Sequence, residues 1–285
     1  MAAFSRAAII GVGLIGGSLG MAVRTRRLAR EVVGVARVPE TLGMARARGA
    51  IDLGTTDPVE GVEDADLVVL ATPPELVVPM AQQVIPYLRA GAIVTDVASV
   101  KGEIVRGIEA ALDPGGGGIA FVGGHPMAGN EGRGVSAASP NLFEGAVYIV
   151  TRTARTDGEA AERLVALARA VGARPMVMDP DAHDRAVARV SHLPYLLAAA
   201  LMGAAAEETA AAGPSFLGAT RVAGSPVPMW AQICRLNRQE IVDALHAFRG
   251  KLDRLETALA DGSDLDALLE DARQARLKMT PRGEP

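Results

Sequence analysis

The chain opens with an apolar run, a glycine-rich turn and a helical stretch: Ala7-Ala8-Ile9-Ile10, then Gly11-Val12-Gly13-Leu14-Ile15-Gly16-Gly17-Ser18. Each glycine of this GxGxxG pattern has a mechanical reason. Gly11 lets the strand turn sharply. Gly13 lets backbone approach a pyrophosphate with no Cβ in the way. Gly16 lets the helix pack close to the strand, so that its N-terminal N–H groups face the phosphates. The pattern alone is common. A β-branched run before it and a helical run after it make it a dinucleotide-binding turn, with Gly11, Gly13, Leu14, Ile15 and Gly16 as cofactor contacts.

Two other readings of this segment fail. Arg6 and the apolar stretch to Val23 have the outline of a secretory signal, but the stretch carries five glycines and runs into Arg24-Thr25-Arg26-Arg27. A small-residue cleavage site belongs there instead. The stretch is also too interrupted to span a membrane. With 285 residues there is room for about two domains. A net charge of −4 argues against nucleic-acid or membrane surfaces as partners. Cys234 is the single cysteine, so no internal disulfide or cysteine zinc cluster forms, no metal site is expected, and a cytoplasmic location fits. Cys234 falls in an amphipathic stretch, Met229–Phe248, and reads as a buried, inert thiol.

Strand and helix patterns alternate through the first half. Ala7–Ile10, Glu31–Ala36, Asp66–Ala71, Ala92–Asp96, Phe121-Val122, Ala146–Thr151 and Arg174–Met178 read as strands. Gly16–Arg27, Pro39–Arg48, Pro74–Tyr87, Val100–Leu112 and Glu159–Val171 read as helices. This predicts an α/β fold: a Rossmann-type, doubly wound, mainly parallel sheet with helices on both faces. Gly115–Gly118 reads as a flexible loop without chemistry, and the tail Thr280–Pro285 as frayed. Asp179-Pro180 marks a boundary between a dinucleotide-binding domain, 1–179, and a second domain, 180–285. Beyond it Ala182–Ala212 (interrupted near Pro194), Val227–Arg249, Lys251–Ala260 and Leu265–Leu277 read as helices, and no strand pattern is evident. Such long apolar helices need a partner surface, so a helical dimerisation domain and a homodimer are expected.

Ligands of open α/β sheets bind beyond the carboxyl ends of the strands. After the second strand stands Arg37, where an NAD-preferring site has an acid on the ribose 2′-OH. A guanidinium pairs instead with a 2′-phosphate, which favours NADP over NAD; a solvated surface arginine is the plain alternative. Thr72-Pro73-Pro74 is a rigid turn placed for the nicotinamide half. Ser99 offers a hydroxyl at a helix start, where it could equally be an ordinary N-cap. Lys101, one of three lysines, is either structural or phosphate-facing. His125 lies in Gly123-Gly124-His125-Pro126-Met127-Ala128-Gly129, at a strand's carboxyl end, and is the general-base candidate. The flanking glycines suggest close ligand approach. His192 either faces a ligand or is satisfied by a helix carbonyl. His183 and Asp184 open the same helix, and the helix dipole suffices to explain Asp184. Arg221, in Gly218-Ala219-Thr220-Arg221-Val222-Ala223 between helices, can form a bidentate fork on a carboxylate or bridge domains.

Together these segments resemble the prephenate/arogenate dehydrogenase family of tyrosine biosynthesis. The matching strings are residues 11–18, Asp-Val-Ala-Ser-Val-Lys-Gly (96–102), Gly-Gly-His-Pro-Met-Ala-Gly (123–129), Ser-His-Leu-Pro (191–194), Thr-Arg-Val-Ala (220–223) and Pro228-Met229-Trp230. The resemblance implies oxidative decarboxylation of prephenate to 4-hydroxyphenylpyruvate with a nicotinamide cofactor. It implies His125 as acceptor of the ring-hydroxyl proton, Ser99 as hydrogen-bond partner of that hydroxyl or of His125, and Arg221 as clamp on a substrate carboxylate. His192 and Tyr195 fall beside the substrate. Many prephenate-using members carry a second histidine where this chain has Tyr195. With Arg37, this leaves NADP-linked conversion of arogenate to tyrosine as the alternative. No appended mutase or large regulatory domain is expected. Two rivals are a 3-hydroxyacid dehydrogenase, whose catalytic lysine is missing from Ala182–Ala212, and a non-catalytic NADP sensor.

Overall fold

The computed structural model describes residues 3–112, 118–130 and 132–279. Most of the expected Gly115–Gly118 loop and the whole expected frayed tail lie outside the described residues. The chain up to Met178 builds eight strands: β1 (Phe4–Ile10), β2 (Ala29–Val35), β3 (Leu53–Thr55), β4 (Leu67–Leu70), β5 (Ile93–Asp96), β6 (Ala120–Pro126), β7 (Val147–Thr151) and β8 (Arg174–Met178). They form one sheet in the order β3-β2-β1-β4-β5-β6-β7-β8. All pairs are parallel except β6 with β7. The chain winds outward from β1 in both directions, so the order reverses between β1 and β4, where such sheets bind ligands.

The six inner strands are buried on both faces, which is why they read as continuous apolar runs, while the edge strands β3 and β8 hold no buried residue. In β1, Ala7 and Ile9 join one core cluster with Leu67 and Val69 of β4. Ala8 and Ile10 join a second with Val68 and Leu70. This period-two partition puts one hydrophobic layer on each side of the sheet. The covering helices are α1 (Leu14–Thr25), α2 (Pro39–Ala47), α3 (Pro58–Val62), α4 (Pro74–Val84), α5 (Gly102–Ala111) and α6 (Gly158–Ala170).

Beyond the sheet the chain is helical: α7 (Pro180–Val187), a π turn (Ala188–His192), α8 (Leu193–Ala204), α9 (Pro214–Thr220), a 3₁₀ turn (Arg221–Gly224), α10 (Val227–Leu236), α11 (Arg238–Asp261) and α12 (Leu265–Leu277). Three expectations are corrected here. The interruption near Pro194 is a π turn, Ala188–His192, with Pro194 in the first turn of α8, but the α-helix ends at Ala204 rather than Ala212. The stretch Val227–Arg249 is two helices, broken at Asn237, and Lys251–Ala260 is the end of α11. Cys234 is half-buried rather than buried, with its thiol pushed up by burial.

The chain forms two compact units. One runs to Val187 and takes in Ser225–Leu236; the other holds Ala188–Gly224 and the chain from Asn237 onward. In the first unit α10 packs on α4, with Arg235 Nε donating to Glu75 Oε1 at 2.7 Å. The helical run Pro180–Ala204 is long and apolar enough, by length and composition alone, to cross a membrane. Its first turns, which belong to the first unit, instead carry His183 and Asp184 in buried hydrogen bonds within that unit.

Candidate active site

The glycine turn sits at the switch point. Gly11 has φ +102°, and a Cβ there would lie 2.4 Å from the Ala71 carbonyl oxygen, just past β4. Its N–H donates to Val35 O of β2 at 2.9 Å, so the turn is sewn to both neighbouring strands. Gly16 would place a Cβ 2.1 Å from the Gly11 carbonyl oxygen; only glycine lets α1 approach β1 this closely. Gly13, the N-cap of α1, is the opposite case: its Cβ position has nothing within 4 Å. That is the room a pyrophosphate needs. No side chain caps α1 and no acid lies in its first turn, so the N–H groups at Leu14, Ile15 and Gly16 present uncompensated positive charge to that space. These residues fit a dinucleotide. Arg37 is exposed two residues past the end of β2. Thr72 and Pro73 follow β4, Pro73 capping α4 and the Thr72 hydroxyl buried without a hydrogen-bond partner among the described residues.

The second cluster gathers where β5 stops and β6 continues. The β5–β6 ladder ends at Thr95–Val122, and Gly123–Pro126 pair only with β7. His125, 6% exposed, is thereby held on a rigid strand beyond the carboxyl end of β5. The glycines before it are explained by protein packing. A Cβ on Gly123 would meet Thr151 Oγ1 at 2.4 Å, and one on Gly124 the Asp96 carbonyl oxygen at 2.7 Å. They therefore admit neighbouring chain, not the ligand that sequence suggested.

Behind His125 runs a line of polar groups. His125 Nδ1 is 2.8 Å from His183 Nε2. His183 Nδ1 is 2.7 Å from Asp184 Oδ1. Asp184 also accepts the N–H groups of Lys101 and Gly102, each at 2.8 Å. These two bonds cap α5 from α7. Ser99 lies in the bend before α5 and does not cap it; the N-cap is Lys101. Lys101 faces no phosphate: its ammonium is fully enclosed and paired with Asp96 Oδ2. Asp96 also accepts from Ala98 N at 3.0 Å and Gly124 N at 3.3 Å.

Burial pushes the Lys101 ammonium down, only partly offset by Asp96. It also pushes His183 down, against the raising bond from Asp184. Burial alone would raise Asp184; the bond and charge of His183 and the two backbone donors outweigh it and hold the carboxyl below its ordinary range. Burial and the Asp96 charge push the Tyr148 phenol up. The cluster therefore contains a firmly ionised carboxylate and an imidazole kept neutral.

The second unit holds the remaining candidates. His192 closes the π turn, fully buried, with Nδ1 3.1 Å from Asn237 Nδ2. That ring nitrogen is thus met by a side chain. Tyr195 is buried in the first turn of α8. Arg221 is exposed, on a 3₁₀ turn closing α9 rather than a loop, and that turn packs against α8.

Comparison with known proteins gives the family. A model described as prephenate dehydrogenase, nucleotide-binding domain, matches residues 19–177, and one described as prephenate dehydrogenase, dimerization domain, matches 179–274. The chain belongs to the prephenate dehydrogenase family. A prephenate dehydrogenase of Bacillus subtilis is 32% identical over 259 residues, 87% of this chain and 68% of that protein. A structure of the Aquifex aeolicus prephenate dehydrogenase, in complex with hydroxyphenyl propionate and NAD+, has a TM-score of 0.87 at 30% identity, covering 97% of this chain and 98% of that one. The Synechocystis arogenate dehydrogenase has 0.83 at 32%, covering 96% and 99%. The family is one of oxidoreductases of tyrosine biosynthesis, which the motifs at 96–102, 123–129 and 191–194 had indicated.

Within that family frame, sequence reasoning missed His183, Asp184, Asp96 and Asn237. His183 is 58 residues from His125, and Asp184 is 83 from Lys101. No local pattern connects them. The one available signal was the adjacent pair His183-Asp184 directly after the last strand, at the edge where ligands bind.

Proposed function

We propose that this chain oxidatively decarboxylates prephenate to 4-hydroxyphenylpyruvate, with His125 as the base. The observation that carries the reading is His125 itself: a nearly buried imidazole on a rigid strand, beyond the end of β5 in the same unit as a dinucleotide cradle. In this reading His125 takes the proton of the ring hydroxyl as the carbon bearing it loses hydrogen with its electron pair. The ring carboxylate leaves as carbon dioxide, its bonding pair aromatises the ring, and the phenolate oxygen takes its proton back from His125. Bound nicotinamide supplies the two-electron acceptor. Drawing the proton off as negative charge departs keeps charge from building up. Ser99 hydrogen-bonds the hydroxyl or His125. Arg221 orients a substrate carboxylate, and Tyr195 and His192 serve side-chain recognition.

The cofactor is read as NADP, with NAD second, because Ala36-Arg37-Val38 after β2 carries an arginine and no acid. Arogenate is the second substrate reading, favoured by Tyr195, which supplies no cation near neutral pH. We read residues 1–179 as the dinucleotide-binding domain, 180–285 as the substrate and dimerisation domain, and the enzyme as a cytoplasmic homodimer.

The test is reduced-nicotinamide absorbance with prephenate and arogenate, each with NAD and NADP. Turnover is expected in at least one pairing, and the best pairing fixes substrate and cofactor. His125→Asn should lower kcat by about 10²- to 10⁴-fold while still binding cofactor. No turnover in all four, from protein that binds a nicotinamide cofactor, overturns the reading in favour of another dehydrogenase or the sensor.

A further inference from the structure

His125 has a base's work to do only if one particular ring nitrogen carries its lone pair. The groups behind it settle which. Asp184 accepts backbone N–H groups at both carboxylate oxygens, from Lys101 and Gly102. Donors, the His183 ring and the Lys101 ammonium surround it, so it is ionised and can only accept. The His183 nitrogen facing it, Nδ1 at 2.7 Å, must therefore be the donor. His183 is fully enclosed, and burial and the Lys101 charge keep it neutral. A neutral imidazole with its proton on Nδ1 has its lone pair on Nε2. That nitrogen lies 2.8 Å from His125 Nδ1, which must then be an N–H. The lone pair of His125 is left on Nε2, the nitrogen turned away from this line.

We propose that His183 and Asp184 are the positioning pair of the reaction: they fix the His125 ring, hold its proton on Nδ1 and so reserve Nε2 for the substrate hydroxyl. This rests on His125 being the base. When His125 becomes an imidazolium, the same line delivers a carboxylate's stabilisation through one neutral ring. The logic is that of an orienting acid behind a catalytic histidine, extended by one imidazole. Among the described residues, the charged or titratable groups packed around the line include Lys101 and Asp96 between β5 and α5, Tyr148 on β7, and the Arg106–Asp181 pair joining α5 to α7 at 2.8 Å. Asp96 and Lys101 neutralise one another, so Asp184 supplies the line's net charge.

The first measurement is long-range ¹H–¹⁵N NMR of the full chain, which has four histidines, with the His125 signals identified from the His125→Asn protein. His125 is expected to be protonated on Nδ1 at pH 8. A proton on Nε2 overturns the proposal, whether or not any variant folds. The second is kinetic. His183→Phe fills the space without a bond; His183→Gln keeps an acceptor for the His125 Nδ1–H. Phe should lower kcat by about 10- to 100-fold, with Gln recovering part of the loss. KM and cofactor Kd should stay within about twofold, as for a group acting on the transition state alone. The acid limb of the kcat/KM profile should move in the Phe variant, because His125 then titrates without the carboxylate behind it. A His183→Phe enzyme with wild-type kcat and pH profile overturns the proposal. If His125→Asn is inactive in that case, only the positioning role fails; if His125→Asn is fully active, the base assignment itself has failed.

Discussion

Lys101 and Asp96 are both fully enclosed, and their charges meet directly. A buried ion pair gains little over an apolar pair of the same volume, but removing one partner strands a charge. Here the stranded charge would be Asp96, which also holds the backbone of Ala98 and Gly124, the residue before His125. Lys101→Met should therefore cost about 3–5 kcal/mol in urea unfolding, and the double variant with Asp96→Asn should be more stable than Lys101→Met alone. Equal stability of Lys101→Met and wild type would contradict the pairing. At this scale His125 was legible because its own neighbours in sequence framed it. Lys101 was visible as a rare residue type, yet its role was not, since burial and a partner on β5 decide it. The His183–Asp184 pair was invisible as a site because its meaning lies in β6, where His125 stands 58 residues before His183.

At the scale of elements, α1 makes two opposite demands on neighbouring glycines. A methyl at Gly16 collides with the Gly11 carbonyl, which is backbone and cannot swing aside; a methyl at Gly13 meets nothing. Gly16→Ala should thus lower the melting temperature and abolish cofactor binding together, by pushing α1 off β1. Gly13→Ala should melt as wild type does yet raise the cofactor Kd at least about tenfold, a loss of about 1.4 kcal/mol. Fluorescence titration with each cofactor and a thermal melt separate the two; a Gly13→Ala protein that binds as wild type would remove the pyrophosphate from this turn. The turn was readable because strand, glycines and helix are contiguous. So were the seven longer strands; in all but the edge strand β8 the apolar runs are the mark of burial on both faces. β3 and α3 were not, being three and five residues long and without a period to detect. The break at Asn237 carries no glycine or proline; the apolar pattern runs straight across it, and the Asn237 amide is instead drawn to His192. Nor does any residue type announce the π turn before α8.

On the scale of the whole molecule, the end of the chain poses the sharpest physical demand. α12 is 13 residues long and none of them is buried, although it carries Leu265, Leu268, Leu269 and Leu277. A helix of that length is marginal in water unless packing supports it. α11, 24 residues long, buries only Ile241, Ala244 and Ala258 and leaves Leu252 and Leu259 exposed. Burying one such leucine is worth about 1.5–3 kcal/mol, so a surface that covered several would supply what these helices lack. The match of residues 179–274 to a dimerization domain points to a second copy of the chain as that surface. Sedimentation should accordingly show a dimer at micromolar concentration. Leu259→Glu and Leu269→Glu should each shift it toward monomer, because a carboxylate cannot be enclosed there without a partner. The helix content of the monomeric variants should fall as well, since the helices lose the surface that supports them. A wild-type chain that sediments as a monomer with both helices intact would show that α11 and α12 stand on their own, and the homodimer reading would fall with it.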